Sequence, residues 1–329
     1  MTSKFKVLIA VKDYRSKYLK EYLNDIADIT ELDLTVDELK NEIRKDYDVL
    51  VTGIYLPVPA EVINNASPRL KVIATYSVGT DHIDSKAAME RGIEVVNATV
   101  GDLCASKYAV AEHAFALLLT IVRKTHRCLE ALRRYDWMDL KTGKVPIFPS
   151  VELFGKTLGI IGVGRIGSHI ARIGRGFCMN VIGYDPYVDK EKALEYGAVL
   201  LDDLDELLRR SDFIAIAASL TEETKGMIGK REVSIMKDGV YIVNISRGAI
   251  VDEYAIIEGL KSGKIAGYAT DVLTVEPPTV EKSPLYAEFL KGGLNIVITP
   301  HTAPLTDKAP ERYAKILSDK IRTILLKKQ

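Results

Sequence analysis

Cysteine is scarce: Cys104, Cys128 and Cys178 are the only three in 329 residues, with no C-x-x-C pair and no histidine at metal-ligand spacing. So small and scattered a set makes neither a disulfide framework nor a zinc site. A reducing compartment is implied, with each cysteine read as a small core residue and no metal expected. Charge of one sign is missing too, since 45 Lys and Arg balance 45 Asp and Glu to a net of zero. That balance offers nothing to nucleic acid or to an anionic bilayer. Long hydrophobic runs are absent. Val7-Leu8-Ile9-Ala10-Val11 is too short for the apolar core of a leader, and the longest strongly apolar helical stretch, 114–122, is too short to span a membrane. A soluble, untargeted protein of the cytoplasm is expected.

What is present is enough apolar content, 47% of 329 residues, for about two cores. In the first hundred residues, β-rich runs at Lys6 to Val11, Asp48 to Thr52, Lys71 to Tyr76 and Glu94 to Asn97 alternate with amphipathic segments at Tyr14 to Leu23, Ala60 to Asn65 and Ser85 to Gly92. Such βαβα order predicts a parallel sheet with helices on both faces. Ala105 to Arg123 reads as one helix, apolar nearly all round and therefore buried in a core or against another subunit, and it is expected to pack at a homodimer interface. Trp137 to Glu152, with Gly143, Pro146 and Pro149, is expected to be a long loop between folding units.

From Lys156 the alternation restarts, with strands expected at Thr157 to Ile161, Asn180 to Tyr184, Asp212 to Ala217, Val240 to Ile245, Ala266 to Asp271 and Leu294 to Thr299. Between the first two lies Gly162-Val163-Gly164-Arg165-Ile166-Gly167, a G-x-G-x-x-G that follows a strand, opens a helix and is answered by Asp185 at the end of the next strand. This context marks a dinucleotide turn: Gly162 allows the tight bend, Gly164 lets a pyrophosphate approach the backbone, and Gly167 lets the helix pack closely. Asp185 would accept from the ribose hydroxyls and repel a 2′-phosphate, so NAD is favoured over NADP. Arg247, Glu276 and His301 each follow one of the later strands. Ligands of open parallel sheets bind outside the carboxyl ends of the strands, so a cation, a carboxylate and an imidazole are delivered to one crevice. Each has a bland alternative, as surface ion-pair partner, turn residue or structural histidine.

From Leu153 to about Leu305 the chain resembles the cofactor domain of the NAD-dependent D-2-hydroxyacid dehydrogenases. The likeness is carried by Glu152-Leu153-x-Gly155-Lys156-Thr157-Leu158-Gly159, Leu220-Thr221-x-x-Thr224, Asn244-x-x-Arg247-Gly248, Asp271-Val272 with Glu276-Pro277, and Thr299-Pro300-His301. Upstream, Ser77-Val78-Gly79-Thr80-Asp81 and Ala111-Glu112-His113 resemble the substrate loop and interdomain helix of that family. The resemblance implies two Rossmann-like or flavodoxin-like parallel-sheet domains with the active site in the cleft between them. Residues 1–101 with 302–329 would form the substrate domain, the last helix packing back on it, and 102–301 the NAD-binding domain. His301 would be the general acid and base, an imidazole having its ordinary pKa near working pH. Glu276 would hold that ring and favour the imidazolium. Arg247 would bind the substrate carboxylate and polarise the carbonyl with its fork of donors, while Ser77, Val78 and Gly79 take the other side. NAD would be held by Gly162, Gly164, Arg165, Ile166, Gly167, Asp185, Thr224, Ile245, Ser246, Asp271 and His301. His82, His113, His126 and His169 are read as structural.

The resemblance points to D-stereospecific hydride transfer between NAD(H) and a small 2-oxo or 2-hydroxy acid. Family members that bind a phosphorylated acid place cations near this face of the first domain, but Thr52-Gly53-Ile54-Tyr55-Leu56-Pro57 holds none. Glyoxylate, hydroxypyruvate or pyruvate is therefore expected over phosphohydroxypyruvate. A 3-phosphoglycerate dehydrogenase is the alternative within the class, and an NAD-sensing corepressor-like protein the alternative outside it. Three departures stand out: Ser219 where proline commonly precedes the Leu-Thr pair, Cys178 where glycine is frequent, and Pro304 in place of a glycine after the histidine. Pro304 removes a backbone N–H that relatives could use.

Overall fold

A computed structural model describes residues 4–100, 103–143 and 150–327. The chain divides into two compact units, Met1–Ser106 with Leu305–Gln329, and Lys107–Pro304. The sequence-based boundary at Gly101 and Asp102 falls on residues outside the described set.

The first unit runs β1 (Phe5–Ile9), α1 (Ser16–Leu23), β2 (Ala27–Glu31), α2 (Val36–Glu42), β3 (Val49–Thr52), α3 (Ala60–Asn65), β4 (Val72–Thr75), α4 (Ser85–Glu90) and β5 (Glu94–Val96). A short antiparallel pair, β6 (Thr99–Val100) and β7 (Leu103–Cys104), follows. The five main strands form one parallel sheet in the order β2-β1-β3-β4-β5. That is the flavodoxin-like order. Every residue of β3 and β4 is buried, as strands covered on both faces require. One face, with Leu8, Leu50 and Ile73, packs on Leu39, Val62, Ile63 and Ala87 from α2, α3 and α4. The other, with Val7, Ile9, Val51 and Val72, is covered by Leu19 and Leu23 of α1 and by Leu317, Ile321 and Leu325 of the last helix, α14 below.

The second unit begins with α5 (Lys107–Arg123), α6 (Thr125–Leu132) and α7 (Trp137–Lys141). The alternation then runs β8 (Thr157–Ile161), α8 (Gly167–Gly176), β9 (Asn180–Tyr184), α9 (Lys190–Glu195), β10 (Val199–Leu200), α10 (Leu204–Arg210) and β11 (Phe213–Ile216). It continues with α11 (Lys230–Ile235), β12 (Val240–Asn244), α12 (Glu253–Ser262), β13 (Ile265–Thr270), α13 (Pro284–Lys291) and β14 (Ile296–Ile298), after which the chain returns to the first unit as α14 (Ala309–Lys327). Strand order is β10-β9-β8-β11-β12-β13-β14, all parallel. The order reverses between β8 and β11, the switch point where an open α/β sheet leaves a crevice for ligand.

Three expectations need correction. The segment Trp137 to Glu152 is not a loop between units. It lies inside the second unit and starts as α7, whose entry is fixed by Asp136 accepting from the Met138 N–H at 2.8 Å; residues 144–149 lie outside the described set. The apolar content of α5 is met within the unit itself, because Ala111, Ala114, Phe115, Leu118, Ile121 and Val122 join the core formed with Leu158, Ile160, Val181 and Val243. Its burial therefore needs no second subunit. Cys178 is not a core residue but exposed, in left-handed backbone at φ 57°, and Cys128 is only half-buried. The side chain of Cys104 lies outside the described set.

Candidate active site

The glycine turn closes the carboxyl end of β8. At φ 90° Gly162 sits in backbone space that a side chain resists, and an added Cβ would also lie 2.5 Å from the Ala218 nitrogen. The turn thus presses against the chain leaving β11. An added Cβ on Gly167 would fall 2.0 Å from the Gly162 carbonyl oxygen, so α8 can start this close only with glycine there. Gly164 is the opposite case, with nothing within 4 Å of a built Cβ. No side chain caps the first turn of α8. Open space over a bare backbone at a helix N-terminus suits a pyrophosphate. Asp185, at the end of β9, accepts from Val163 N–H and from Tyr187 N–H, both at 2.9 Å, and so ties the turn to the strand beside it. These residues fit a dinucleotide: the turn would hold its phosphates and Asp185 its adenosine ribose.

Beyond the switch point, Thr224 Oγ1 donates to the Ser219 carbonyl at 2.7 Å and accepts from Thr221 N–H at 2.8 Å, shaping the loop after β11. Ile245 N–H donates to the Ile216 carbonyl at 3.3 Å, the Ser246 hydroxyl donates to the Ala218 carbonyl, and Ser246 N–H donates to Asn244 Oδ1 at 3.0 Å. Asn244 Nδ2 donates to the Arg247 carbonyl at 2.9 Å, and the Arg247 guanidinium donates to the Ser246 carbonyl at 2.9 Å. Asn244 itself is fully buried at the end of β12, which makes it a rigid base for the half-buried arginine. The next residue, Gly248, would place an added Cβ 2.0 Å from the Leu273 carbonyl carbon. Its bare backbone lets the segment after Arg247 lie directly on the segment leading to Glu276.

Glu276 Oε1 accepts from Leu273 N–H at 2.8 Å, and Oε2 lies 2.7 Å from His301 Nδ1. The side chains are 20% and 15% exposed, so the pair is partly withdrawn from water. A carboxylate on Nδ1 requires a proton there, which directs the remaining ring chemistry to Nε2. His301 lies in left-handed backbone at φ 53°, and its N–H donates to the Asp271 carbonyl at 2.9 Å. Burial pushes the Asp271 carboxyl up, but donation from His113, Thr299 and the N–H groups of Ala303 and Thr302 outweighs it and holds the group below the usual carboxylate range. Arg247, Glu276, His301 and Asp271 are thus all in the second unit, on loops after β12, β13 and β14. Ser77, Val78 and Gly79 stand in the first unit after β4. There Asn97 Nδ2 donates to the Val78 carbonyl at 2.6 Å and the Ser77 hydroxyl to the Gly79 carbonyl. Among the described residues no acceptor takes the N–H of Val78 or Gly79, which leaves both as donors.

One supporting carboxylate, Glu253, carries no functional signal in the sequence, and a second, Asp271, does more than the sequence indicates. Glu253, 6% exposed at the start of α12, accepts from Thr274 N–H at 3.2 Å, the Ser283 hydroxyl at 3.0 Å and Leu285 N–H at 3.1 Å, bracing both ends of the stretch that carries Glu276. In sequence it reads as an ordinary first-turn acid. Asp271 is expected from the resemblance only as an NAD-holding residue, and its grip on Thr302 and Ala303 leaves no sequence signal.

Two parallel sheets, a glycine turn at the switch point and an arginine, glutamate and histidine beyond it define a dinucleotide-binding class. Residues 115–303 match the profile described as D-isomer specific 2-hydroxyacid dehydrogenase, NAD binding domain. The chain belongs to that family. It is 41% identical to the D-3-phosphoglycerate dehydrogenase of Methanocaldococcus jannaschii over 292 residues, 89% of this chain and 52% of that protein. It spans about half the length of the phosphoglycerate dehydrogenases it matches. Against the glyoxylate reductase of Thermococcus litoralis it is 40% identical over 275 residues, 83% of this chain and 79% of the relative. A crystal structure of D-lactate dehydrogenase from Aquifex aeolicus, complexed with NAD and lactic acid, matches with a TM-score of 0.84 at 32% identity, covering 98% of this chain and 96% of that one. No helix among the described residues is long and apolar enough to cross a membrane.

Proposed function

We propose that this protein reduces a small unphosphorylated 2-oxo acid, of the glyoxylate, hydroxypyruvate or pyruvate class, to the D-2-hydroxy acid with NADH, and runs the reverse with NAD. The observation that carries the reading is the 2.7 Å contact between Glu276 Oε2 and His301 Nδ1 at the carboxyl edge of a dinucleotide-type sheet. Bound NADH supplies the hydride. The Arg247 guanidinium binds the substrate carboxylate and draws electron density onto the carbonyl oxygen, and the N–H groups of Val78 and Gly79 take the other side of the carboxylate. His301 gives its Nε2 proton to that oxygen and recovers it in oxidation. Glu276 keeps the ring oriented and compensates the imidazolium charge. Glycines 162, 164 and 167, with Arg165, Ile166 and Asp185, hold the phosphates and adenosine ribose. Thr224, Ile245, Ser246 and Asp271 line the nicotinamide end, so residues 102–301 serve the cofactor and 1–101 with 302–329 the substrate.

Choice of an unphosphorylated acid is supported by the cations of the first unit. Thr52 to Pro57 contains none. Arg15, after β1, donates Nε to Asp13 Oδ1 at 2.7 Å, holds the second Asp13 oxygen at 2.5 Å, and donates to the Tyr76 carbonyl at 2.6 Å. Its charge is committed. Steady-state assays with NADH and glyoxylate, hydroxypyruvate, pyruvate or phosphohydroxypyruvate test the reading. Turnover of the first three is expected to exceed that of the phosphorylated acid. Preference for phosphohydroxypyruvate would give the chain the role named for its phosphoglycerate dehydrogenase relatives. NAD binding without turnover of any of the four would favour a sensor. The working form is a homodimer in the cytoplasm. The free Cys128 and Cys178 suit a reducing compartment. The dimer is supported by α6, which has no buried residue and, with α7 and the turn between them, exposes Leu129, Leu132, Tyr135, Trp137 and Met138. A monomer mass by light scattering at micromolar concentration would refute it.

A further inference from the structure

His113 stands in the second turn of α5 with its side chain 23% exposed, and its Nε2 lies 3.0 Å from Thr299 Oγ1 and 3.4 Å from Asp271 Oδ1. Thr299 Oγ1 donates its one proton to Asp271 Oδ1 at 2.6 Å, because a carboxylate can only accept. The threonine oxygen is then an acceptor toward His113, and Nε2 must carry hydrogen. Past the carboxylate the chain continues: Oδ1 accepts from Thr302 N–H at 2.9 Å and Oδ2 from Ala303 N–H at 2.8 Å. The Asp271 carbonyl and the Thr299 carbonyl take His301 N–H at 2.9 and 3.0 Å. His301 is therefore gripped from both sides while its backbone stays left-handed at φ 53°, a conformation that strains a residue with a Cβ and persists where neighbours over-determine it.

We propose that His113 is a positioning residue for the reaction: through Thr299 and Asp271 it holds the 301–303 turn in the geometry that seats His301 Nδ1 on Glu276. The inference rests on the reading of His301 as the acid and base. A histidine that merely filled space on α5 would put no donor on Thr299. Here the ring adds the donor that lets the hydroxyl commit its proton to the carboxylate. Loss of that donor frees Thr299 to turn away, removes one of the bonds on Oδ1, and loosens the turn that aims the imidazole. Reacting groups misplaced by fractions of an ångström turn over slowly while still binding substrate.

The test compares His113→Leu, His113→Gln and Thr299→Val in the full chain. Leu is expected to lower kcat by roughly 10- to 100-fold with KM for NADH and 2-oxo acid within about threefold, the range seen when a supporting partner of a reacting group is removed. Gln, which presents an N–H at the end of a similar reach, should restore most of that loss, and Val at 299 should reproduce it. The double variant His113→Leu/His301→Ala should be no slower than His301→Ala alone, since a residue that acts through another adds nothing once the other is gone. In ¹⁵N-histidine spectra, the His301 Nδ1–H signal shared with Glu276 should broaden or shift in His113→Leu and return in His113→Gln. Additive losses in the double variant, or kcat within about twofold of wild type in His113→Leu and Thr299→Val, overturn the proposal. Near-normal turnover in His301→Ala alone would instead remove the reading beneath it. Should His113→Leu fail to fold, the Gln and Val variants still decide.

Discussion

At the scale of single residues, the site separates two kinds of contribution. Under the proposed mechanism Arg247 holds the carboxylate in ground and transition states alike, so Arg247→Ala should raise KM and lower kcat together. His301→Ala should act on kcat, by about 10²- to 10⁴-fold, with KM little changed, as removal of a general acid does. Stopped-flow binding and steady-state rates for both variants check this, and normal kcat in His301→Ala would contradict it. Asp271 supplies the pH dependence. Its folded-state pKa lies below the usual carboxylate value. The stability its bonds contribute is then fully present above about pH 4, the ordinary aspartate range, and is lost as pH falls through the lower folded value. The melting-temperature gap between wild type and Asp271→Asn should accordingly be constant from about pH 5 to 8 and close only in stronger acid. The placement of Arg247, Glu276 and His301 was legible in sequence because each follows a strand end. The bonds that aim them were not, because Asp271, Glu253 and His113 find their partners across tens to hundreds of residues, where no local pattern reports a contact.

At the scale of elements, the sequence reveals every strand that is interior to its sheet. β8 and β9 are bounded as the apolar runs predict, while β2 was missed: as an edge strand with alternating exposure it carries Ala-Asp-Ile-Thr-Glu rather than a continuous apolar run. The following α2 was also missed although it has a signal, the capping box in which Thr35 and Glu38 exchange side-chain and backbone bonds. The turn between α8 and β9 is held by a non-glycine residue in left-handed backbone, Cys178 at φ 57°. Cys178→Gly should raise stability by about 0.5–1 kcal/mol, the relief of that strain less the added chain entropy, seen as a melting point a few degrees higher. A lower melting point would mean that the thiol packs better than its exposure suggests. At the turn after β9, Asp185→Ser should weaken NADH and narrow its advantage over NADPH, because the repulsion of a 2′-phosphate goes with the charge. Fluorescence titration with both nucleotides measures it, and tighter NADPH binding by wild type would refute the assignment.

At the scale of the whole molecule, one unit is continuous in sequence, Lys107–Pro304, and the other is made from both ends of the chain. Helix α14 lays Leu317, Ile321 and Leu325 on the face of β1, β3 and β4, so that sheet lacks one of its two covers until a segment more than two hundred residues downstream arrives. Closing so long a loop delays contacts relative to those made within a βα unit. In refolding followed by pulsed hydrogen exchange, amides of β8, β9 and β11 should gain protection before those of β1 and β3, and equal rates would refute the order. The same feature has a meaning on the ribosome. A chain released from its N-terminus exposes an apolar sheet face first and receives the helix that covers it only after the entire second unit, so the half-covered sheet must wait while that unit is made. During that interval Val7, Ile9, Val51 and Val72 are a surface that a chaperone would hold, and the cell's investment in keeping this protein from aggregating falls on its first hundred residues.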